Sequence, residues 1–307
     1  MNVFVAGATG VLGRRAVARL NGHGADVTGV ARTAEKQAEL VGLGATPVAV
    51  SLFDPDALTQ AVAGHDVVIN LATAIPSGER MAVSAAWEDN HRIRREGSRN
   101  LVDAALAAGA HRYVQESIAI LYADGGEELL DESAPVAPTS ITASAIEAET
   151  QAARFAEHGG TGVALRFGYF YGPDSAHITE AIDAARAGRP VEFGPPSAYR
   201  PAVTTDDAAI AVVAALGAPT GIYNVADDQP LRRAEHVDAL SSALGLVVPP
   251  PLDVPFPPDF AMSMWSQRVS NQRFKAVTGW RPRYPSAWEG WPQVLSELRW
   301  RRILRAS

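Results

Sequence analysis

The 307-residue chain has no cysteine. That excludes disulfides, thiolate metal sites and a cysteine nucleophile. Lysine is nearly as scarce: Lys36 and Lys275 stand alone, and every other basic side chain is arginine or histidine. No apolar run approaches the roughly 20 residues that a membrane-spanning helix needs. No charged-then-apolar leader precedes the first strand pattern, so neither a membrane partner nor a signal peptide is expected. The seven histidines are scattered without metal-ligand spacing, so no metal site is expected. Positive charge is also in deficit. Lys and Arg number 27 against 34 Asp and Glu, a formal net charge of −7, which argues against a nucleic-acid partner. What the chain does have is 47% hydrophobic residues, enough for one large domain or two closely packed ones. The expectation is a cytoplasmic protein acting on a small molecule.

The most informative stretch is residues 1–13, MNVFVAGATGVLG. The apolar run at residues 3–6 predicts a strand, and Gly7, Gly10 and Gly13 follow at once. Glycine allows a sharp turn, close approach of backbone to a pyrophosphate, and close packing of helix on strand. The helix that starts after the turn offers unpaired N–H groups and a partial positive charge to phosphates. Residues 26–31 predict a second strand that ends at Arg32. No acid stands there to hold an adenosine ribose; an arginine can pair with a 2′-phosphate instead.

The Gly-x-x-Gly-x-x-Gly spacing resembles the short-chain dehydrogenase/reductase superfamily, in its extended, epimerase/dehydratase-like branch. Further motifs carry the resemblance along the chain: residues 96–102 (EGSRNLV), 112–122 (RYVQESIAILY), 164–173 (ALRFGYFYGP), 200–209 (RPAVTTDDAA) and 274–284. It implies an α/β fold, a doubly wound parallel (Rossmann) sheet with a smaller C-terminal substrate-binding region. Residues 1–168 would bind the dinucleotide. Residues 169–307 would mostly face substrate, with segments near 200–226 returning to the Rossmann core. The implied cofactor residues are Gly7, Thr9, Gly10, Val11, Leu12, Gly13 and Arg32, with Leu71, Ala72 and Thr73 after the fourth strand (residues 66–72). Arg32 makes NADP the expected cofactor, with NAD possible. A homodimer is also possible by analogy. A single long helix is expected over residues 87–108 and another over 231–244. Trp288, Trp291 and Trp300 are expected to pack, and residues 299–305 to be solvated.

The resemblance breaks where the chemistry should be. The superfamily uses a Tyr-x-x-x-Lys pair and a Ser or Thr to move a proton at the reacting oxygen. Aligned on Tyr122, the hydroxyl position is Ile118. Aligned on Glu149, the Tyr and Lys positions are Ile141 and Ala145. No shift of register restores the pair, since no tyrosine lies between Tyr122 and Tyr169 and no lysine between Lys36 and Lys275. An asparagine that often joins the apparatus is replaced by Arg94. Two residues are candidates for proton transfer instead. Tyr169 sits where nucleotide-sugar members often carry asparagine. Glu116 would have a raised pKa if it were desolvated beside apolar groups. Substrate-binding candidates are Gln115, Arg94, Ile118, Ile141 and Arg200, the last matching an arginine that pairs with substrate phosphates and so implying an anionic substrate. Tyr122, Asp124, Asp131 and Glu132 border the same mouth, the last two reading as a helix-capping pair. The expected function is a reductase, epimerase or dehydratase with a non-standard site. The alternatives are a non-redox cyclase or isomerase holding a dinucleotide, and a dinucleotide-sensing regulator without turnover.

Overall fold

Val3, Phe4, Val5 and Ala6 have no exposed surface, so the first strand, β1 (Asn2–Ala6), is covered on both faces, as a central parallel strand requires. The structure, a computed structural model, describes residues 1–306 and the side chains of residues 1–300. After β1 come α1 (Val11–Gly22), β2 (Asp26–Val30), α2 (Ala34–Gly42), β3 (Thr46–Val48), α3 (Pro55–Val62) and β4 (Val67–Asn70). Then follow α4 (Glu88–Arg92), α5 (Ser98–Ala107), β5 (Arg112–Ile118), the short β6 (Leu129–Leu130), α6 (Ala143–Glu157), β7 (Thr161–Phe167) and β8 (Tyr169–Tyr171). The remainder is α7 (Ala176–Arg186), β9 (Tyr199–Arg200), β10 (Ala202–Thr204), α8 (Thr205–Ala214), β11 (Gly221–Val225), β12 (Leu231–Arg232), α9 (Arg233–Leu244), β13 (Arg268–Val269), α10 (Gln272–Thr278) and α11 (Ala287–Ala306).

Seven strands form one parallel sheet in the order β11-β7-β5-β4-β1-β2-β3. All carboxyl ends therefore share one edge. The order reverses between β1 and β4, and a crevice for ligands opens at such a switch point. Alternation along the strands sorts the two faces. Val3, Val5, Val67, Ile69 and Val114 pack with Leu12, Ala16, Val17 and Leu20 of α1 and Ala208, Ala209, Ala211 and Val212 of α8. Phe4, Ala6, Val68 and Tyr113 pack on the other side with α3, α5 and α6. A third cluster joins Tyr171, Ile178, Ile182, Val237, Leu240 and Trp291 beyond the sheet. Asp207 ties the two regions. Its carboxylate accepts from the Thr204 hydroxyl (2.9 Å) and the Arg283 backbone N–H (2.8 Å), and its carbonyl accepts from the Trp280 indole (3.2 Å). Among the described residues no helix is long and apolar enough to cross a membrane.

Several elements differ from the sequence reading. The helix expected over residues 87–108 is interrupted by a π turn, Ile93–Gly97, between α4 and α5. The Ser98 hydroxyl donates to the Arg94 carbonyl, which competes with the helical ladder at that turn. Residues 231–232 pair antiparallel with β9 before α9 begins. Asp131 and Glu132 cap no helix. Asp131 accepts from Ser133 in a turn, while Glu132 accepts from the Asn224 N–H on β11 (2.8 Å). Trp291 packs against Tyr171, but Trp288 and Trp300 are exposed. The side chains of residues 301–305 lie outside the described ones.

One buried ion pair fastens α6 to the sheet. Glu149 Oε1 accepts from the Ser117 hydroxyl (2.6 Å) and Arg166 Nε (2.7 Å), and its Oε2 accepts from Arg166 Nη2 (2.8 Å). Removing one member of such a pair leaves an uncompensated charge, at a cost of about 3–5 kcal/mol. Glu149→Ala should therefore lower unfolding stability by that amount in a guanidinium titration. A loss under about 1 kcal/mol would show that solvent reaches Arg166.

Candidate active site

The turn after β1 is built so that only glycine fits. Gly7 has φ +76°, and a Cβ there would lie 2.5 Å from the Leu71 carbonyl carbon. A Cβ on Gly13 would lie 2.0 Å from the Gly7 carbonyl oxygen. The first contact brings the turn against the exit of β4; the second presses α1 onto it. Gly10, by contrast, is exposed and faces open space apart from the Gly7 carbonyl at 3.2 Å. No side chain caps α1 at Gly10, and no acid lies in its first turn. The N–H groups of Val11, Leu12 and Gly13 thus start a helix whose positive end is open. Thr9 is half-buried beside it and Thr73 exposed at the β4 exit. A dinucleotide pyrophosphate fits this cradle. Arg32 is exposed past the end of β2, and no described residue pairs with it. Arg14 is occupied by Glu39 (3.4 Å) and Asp174 (3.9 Å).

The exit of β4 is held by side-chain amides. Asn70 Oδ1 accepts from the Ala72 N–H (3.1 Å), and Asn90 Oδ1 on α4 accepts from the Ala74 N–H (3.0 Å). Gln115 belongs to this scaffold and not to the substrate surface where the sequence reading put it. It is fully buried, its oxygen accepts from Asn70 (3.0 Å) and Tyr113 (2.7 Å), and its nitrogen donates to the Glu116 carbonyl (2.8 Å).

Ile118 lies at the end of β5, half-buried. Ile141 and Ala145, at and just inside the start of α6, are buried. Arg94, carried by the π turn, reaches the carboxyl end of β5 and donates to Glu116 Oε1 at 2.8 Å. Arg94 is 2% and Glu116 5% exposed. The pair is incomplete: Arg94 Nε and Glu116 Oε2 are buried without a partner. The sequence reading named both residues but not their contact. It also missed the bond from His91 Nδ1 to the Ser144 hydroxyl (3.0 Å). Burial, with Arg95 adding to it, lowers the His91 pKa. No described carboxylate bonds the ring and Ser144 is fully buried, so the pair fastens α4 to α6.

Tyr169 follows Gly168, which packs so tightly on Ala202 that a Cβ would sit 2.8 Å from its backbone nitrogen. The Arg200 guanidinium lies 4.9 Å above the Tyr169 ring centre. Burial raises the Tyr169 pKa, so its hydroxyl is a neutral donor. Arg200 pairs with Glu192 (3.0 Å) and not with Asp206 or Asp207, and the other oxygen of Glu192 pairs with Arg233 (2.8 Å). Glu192 and Arg233 did not stand out in the sequence, because their meeting depends on the path of residues 190–200.

Residues 3–226 match the NAD dependent epimerase/dehydratase family. A 3-diazoavenalumate denitrifying reductase of a Streptomyces species is 33% identical over 308 residues, covering 94% of this chain and 99% of the relative. A 2-alkyl-3-oxoalkanoate reductase of Shewanella oneidensis is 26% identical, covering 80% of this chain and 66% of the relative. Among solved structures, a UDP-glucose 4-epimerase of Thermus thermophilus in complex with NAD superposes with TM-score 0.80 at 24% identity, over 97% of this chain and 99% of that one. The UDP-glucose 4-epimerase of Thermotoga maritima, solved with UDP-glucose, gives 0.82 at 20% identity over 99% and 100%. The glycine cradle, the switch-point crevice and these matches together place the chain in the NAD dependent epimerase/dehydratase family.

Proposed function

We propose that the protein is an NADP(H)-dependent reductase whose hydride acceptor is a diazo group. The observation that carries this reading is the set of apolar side chains, Ile118, Ile141 and Ala145, at the positions where the resemblance calls for Ser, Tyr and Lys. Epimerases and dehydratases begin by oxidising a hydroxyl, and ketoreductases end by protonating an oxygen. Both need a proton-handling group at that atom. An arenediazonium does not. When bound, NADPH supplies a hydride to the terminal nitrogen, and the resulting diazene loses dinitrogen as its C–N bond breaks and its N–H hydrogen leaves as the proton that the carbon takes up. The sum is arenediazonium plus NADPH to arene, dinitrogen and NADP⁺, with no proton drawn from a side chain. The Streptomyces relative acts on a diazo compound by name, which supports the choice of acceptor.

The chain's own residues would divide the work between residues 1–168, which hold the cofactor, and residues 169–307, which mostly face substrate. Gly7, Gly10, Gly13 and the start of α1 hold the pyrophosphate. Leu71, Ala72 and Thr73 line the cofactor's path along β4. Arg32 takes the 2′-phosphate. Ile118 and Ile141 keep water from the acceptor. Sequence reading gave proton transfer to Tyr169 or Glu116. With Glu116 ion-paired to Arg94, we assign its free oxygen to the positive charge of the diazonium, with Arg94 as the positioning residue. Tyr169 orients the far end of the substrate.

Three measurements test this. Gly10→Val should fold, since its surroundings are open, yet lose dinucleotide binding in a calorimetric titration; unchanged affinity would make the turn merely structural. Arg32→Ala should weaken NADPH by about ten- to a hundredfold, the worth of a charge-assisted bond, and leave NADH unchanged; equal weakening of both would remove the 2′-phosphate assignment. A hydroxybenzenediazonium salt labelled with ¹⁵N, mixed with NADPH and the protein, should release labelled dinitrogen one-for-one with NADPH oxidised, well above the protein-free rate. No acceleration would sink the diazo reading.

A further inference from the structure

The cluster around Arg200 has a charge balance that its architecture fixes. Two guanidinium groups, Arg200 and Arg233, share one carboxylate, Glu192. The Glu192 side chain is 9% and that of Arg233 4% exposed, whereas that of Arg200 is 23% exposed. Both arginines keep a buried Nε without a partner. His236 Nε2 donates to the Arg200 carbonyl (3.0 Å). Burial, with Arg200 and Arg233 nearby, brings its pKa down to about 3, so it adds no charge at neutral pH. His177 bonds the Phe170 carbonyl (2.9 Å), and its pKa is also lowered by burial. Arg200, Arg233 and Glu192 taken by themselves therefore carry one excess positive charge. The cluster's partly exposed members are Arg200 and Tyr169, whose hydroxyl, a neutral donor, is engaged by no described residue.

Glu192 is not free to swing away. Its carbonyl accepts from the Leu252 N–H (3.0 Å). Two residues on, Gly194 has φ +100° and packs so closely that a Cβ would lie 2.3 Å from the Ser263 carbonyl oxygen. A ligand that approaches Arg200 thus meets a fixed carboxylate just behind it. One negative charge is balanced by the cluster. A second, as on a diphosphate, would face Glu192 without compensation in a poorly solvated place, where like charges repel strongly.

We propose that Glu192 is a specificity-determining residue: it tunes the Tyr169–Arg200 site to a substrate bearing a single carboxylate and keeps nucleotide diphosphates out. The inference rests on reading this cleft as the reductase's substrate site. It separates this chain from the UDP-glucose epimerases that share its fold.

Binding tests it without turnover. The protein saturated with NADP⁺ is titrated calorimetrically with 4-hydroxycinnamate and, separately, with UDP. The unmodified protein should bind 4-hydroxycinnamate and not UDP. Arg200→Gln leaves Glu192 paired with Arg233 and should weaken 4-hydroxycinnamate at least tenfold with NADP⁺ affinity unchanged. Tyr169→Phe should weaken it less. Glu192→Gln should gain UDP binding by at least tenfold. UDP bound by the unmodified protein as tightly as the carboxylate, no carboxylate binding, unaltered carboxylate affinity in Arg200→Gln, or a folded Glu192→Gln that gains no UDP binding each overturns the proposal. If Glu192→Gln does not fold, because two arginines lose their counter-charge, Glu192→Asp, which keeps the charge but draws it back from Arg200, decides: it should gain UDP binding, and no gain overturns the proposal. Failure to bind NADP⁺ at all would instead strike the cofactor assignment, a separate result in the same titrations.

Discussion

The contact between Gly13 and the Gly7 carbonyl sets the position of everything at the ligand edge. A side chain at Gly13 would push α1 off the turn, and one at Gly7 would drive the turn from the β4 exit. With none, α1 lies directly on the turn, and the row Leu12, Ala16, Val17 and Leu20 drops into the face built by Val3, Val5 and Ile69. The same approach leaves the helix start uncapped and aimed across the crevice between β1 and β4. Gly7 is pinned a second time by the β4 exit, so the two cofactor loops are fixed relative to each other before any ligand arrives. Preorganisation of this kind lowers the ordering cost of binding.

Downstream of that constraint the fold handles charge in pairs. Glu149 sits in the apolar stripe of α6, where an unpaired carboxylate would be intolerable, and is satisfied on both oxygens by Arg166 and Ser117. Arg94 and Glu116 are satisfied only in part. Buried pairs seldom gain net stability over apolar replacements. The Glu149–Arg166 pair, with both carboxylate oxygens engaged and only Arg166 Nη1 left without a partner, is a structural fastener. The Arg94–Glu116 pair leaves a buried donor and a buried acceptor unpaired at the strand ends where ligands of such sheets bind, which is costly for folding; on the proposed function that cost serves binding.

Much of this was legible from residue types and their spacing. The glycine turn, the fully apolar fourth strand and the motifs at residues 164–173 and 200–209 point to a doubly wound parallel sheet, and that is the fold. The absence of lysine between Lys36 and Lys275 is a fact of sequence that no geometry can alter. What could not be read were the partnerships. At the π turn the Ser98 hydroxyl bonds the Arg94 carbonyl, and helical periodicity gives no sign of that interruption. Gln115 looked like a cleft residue because it lies next to Glu116, but strand alternation turns it toward Asn70 and Tyr113. Glu192 lies in a glycine- and proline-rich stretch where no periodicity assigns a direction, so its grip on Arg200 and Arg233 appears only once the chain is folded.

The proposed alignment, which sets Ile141 and Ala145 where the family carries Tyr and Lys, also bears on how the site would discriminate. A proton-donating dyad holds its substrate by the reacting oxygen, so binding and chemistry share one anchor. An apolar wall has no such hold, and an acceptor beside it must be placed by groups elsewhere. The charged residues available are the Arg94–Glu116 pair at the end of β5 and the Arg200 cluster beyond β8. On the proposed function, a molecule that is positive at one end and negative at the other would be oriented by both at once, and a neutral ketone by neither. Placement by two distant charges confers specificity through differential binding, and it leaves the reacting atom itself in contact with apolar side chains, where water does not compete for an incoming hydride.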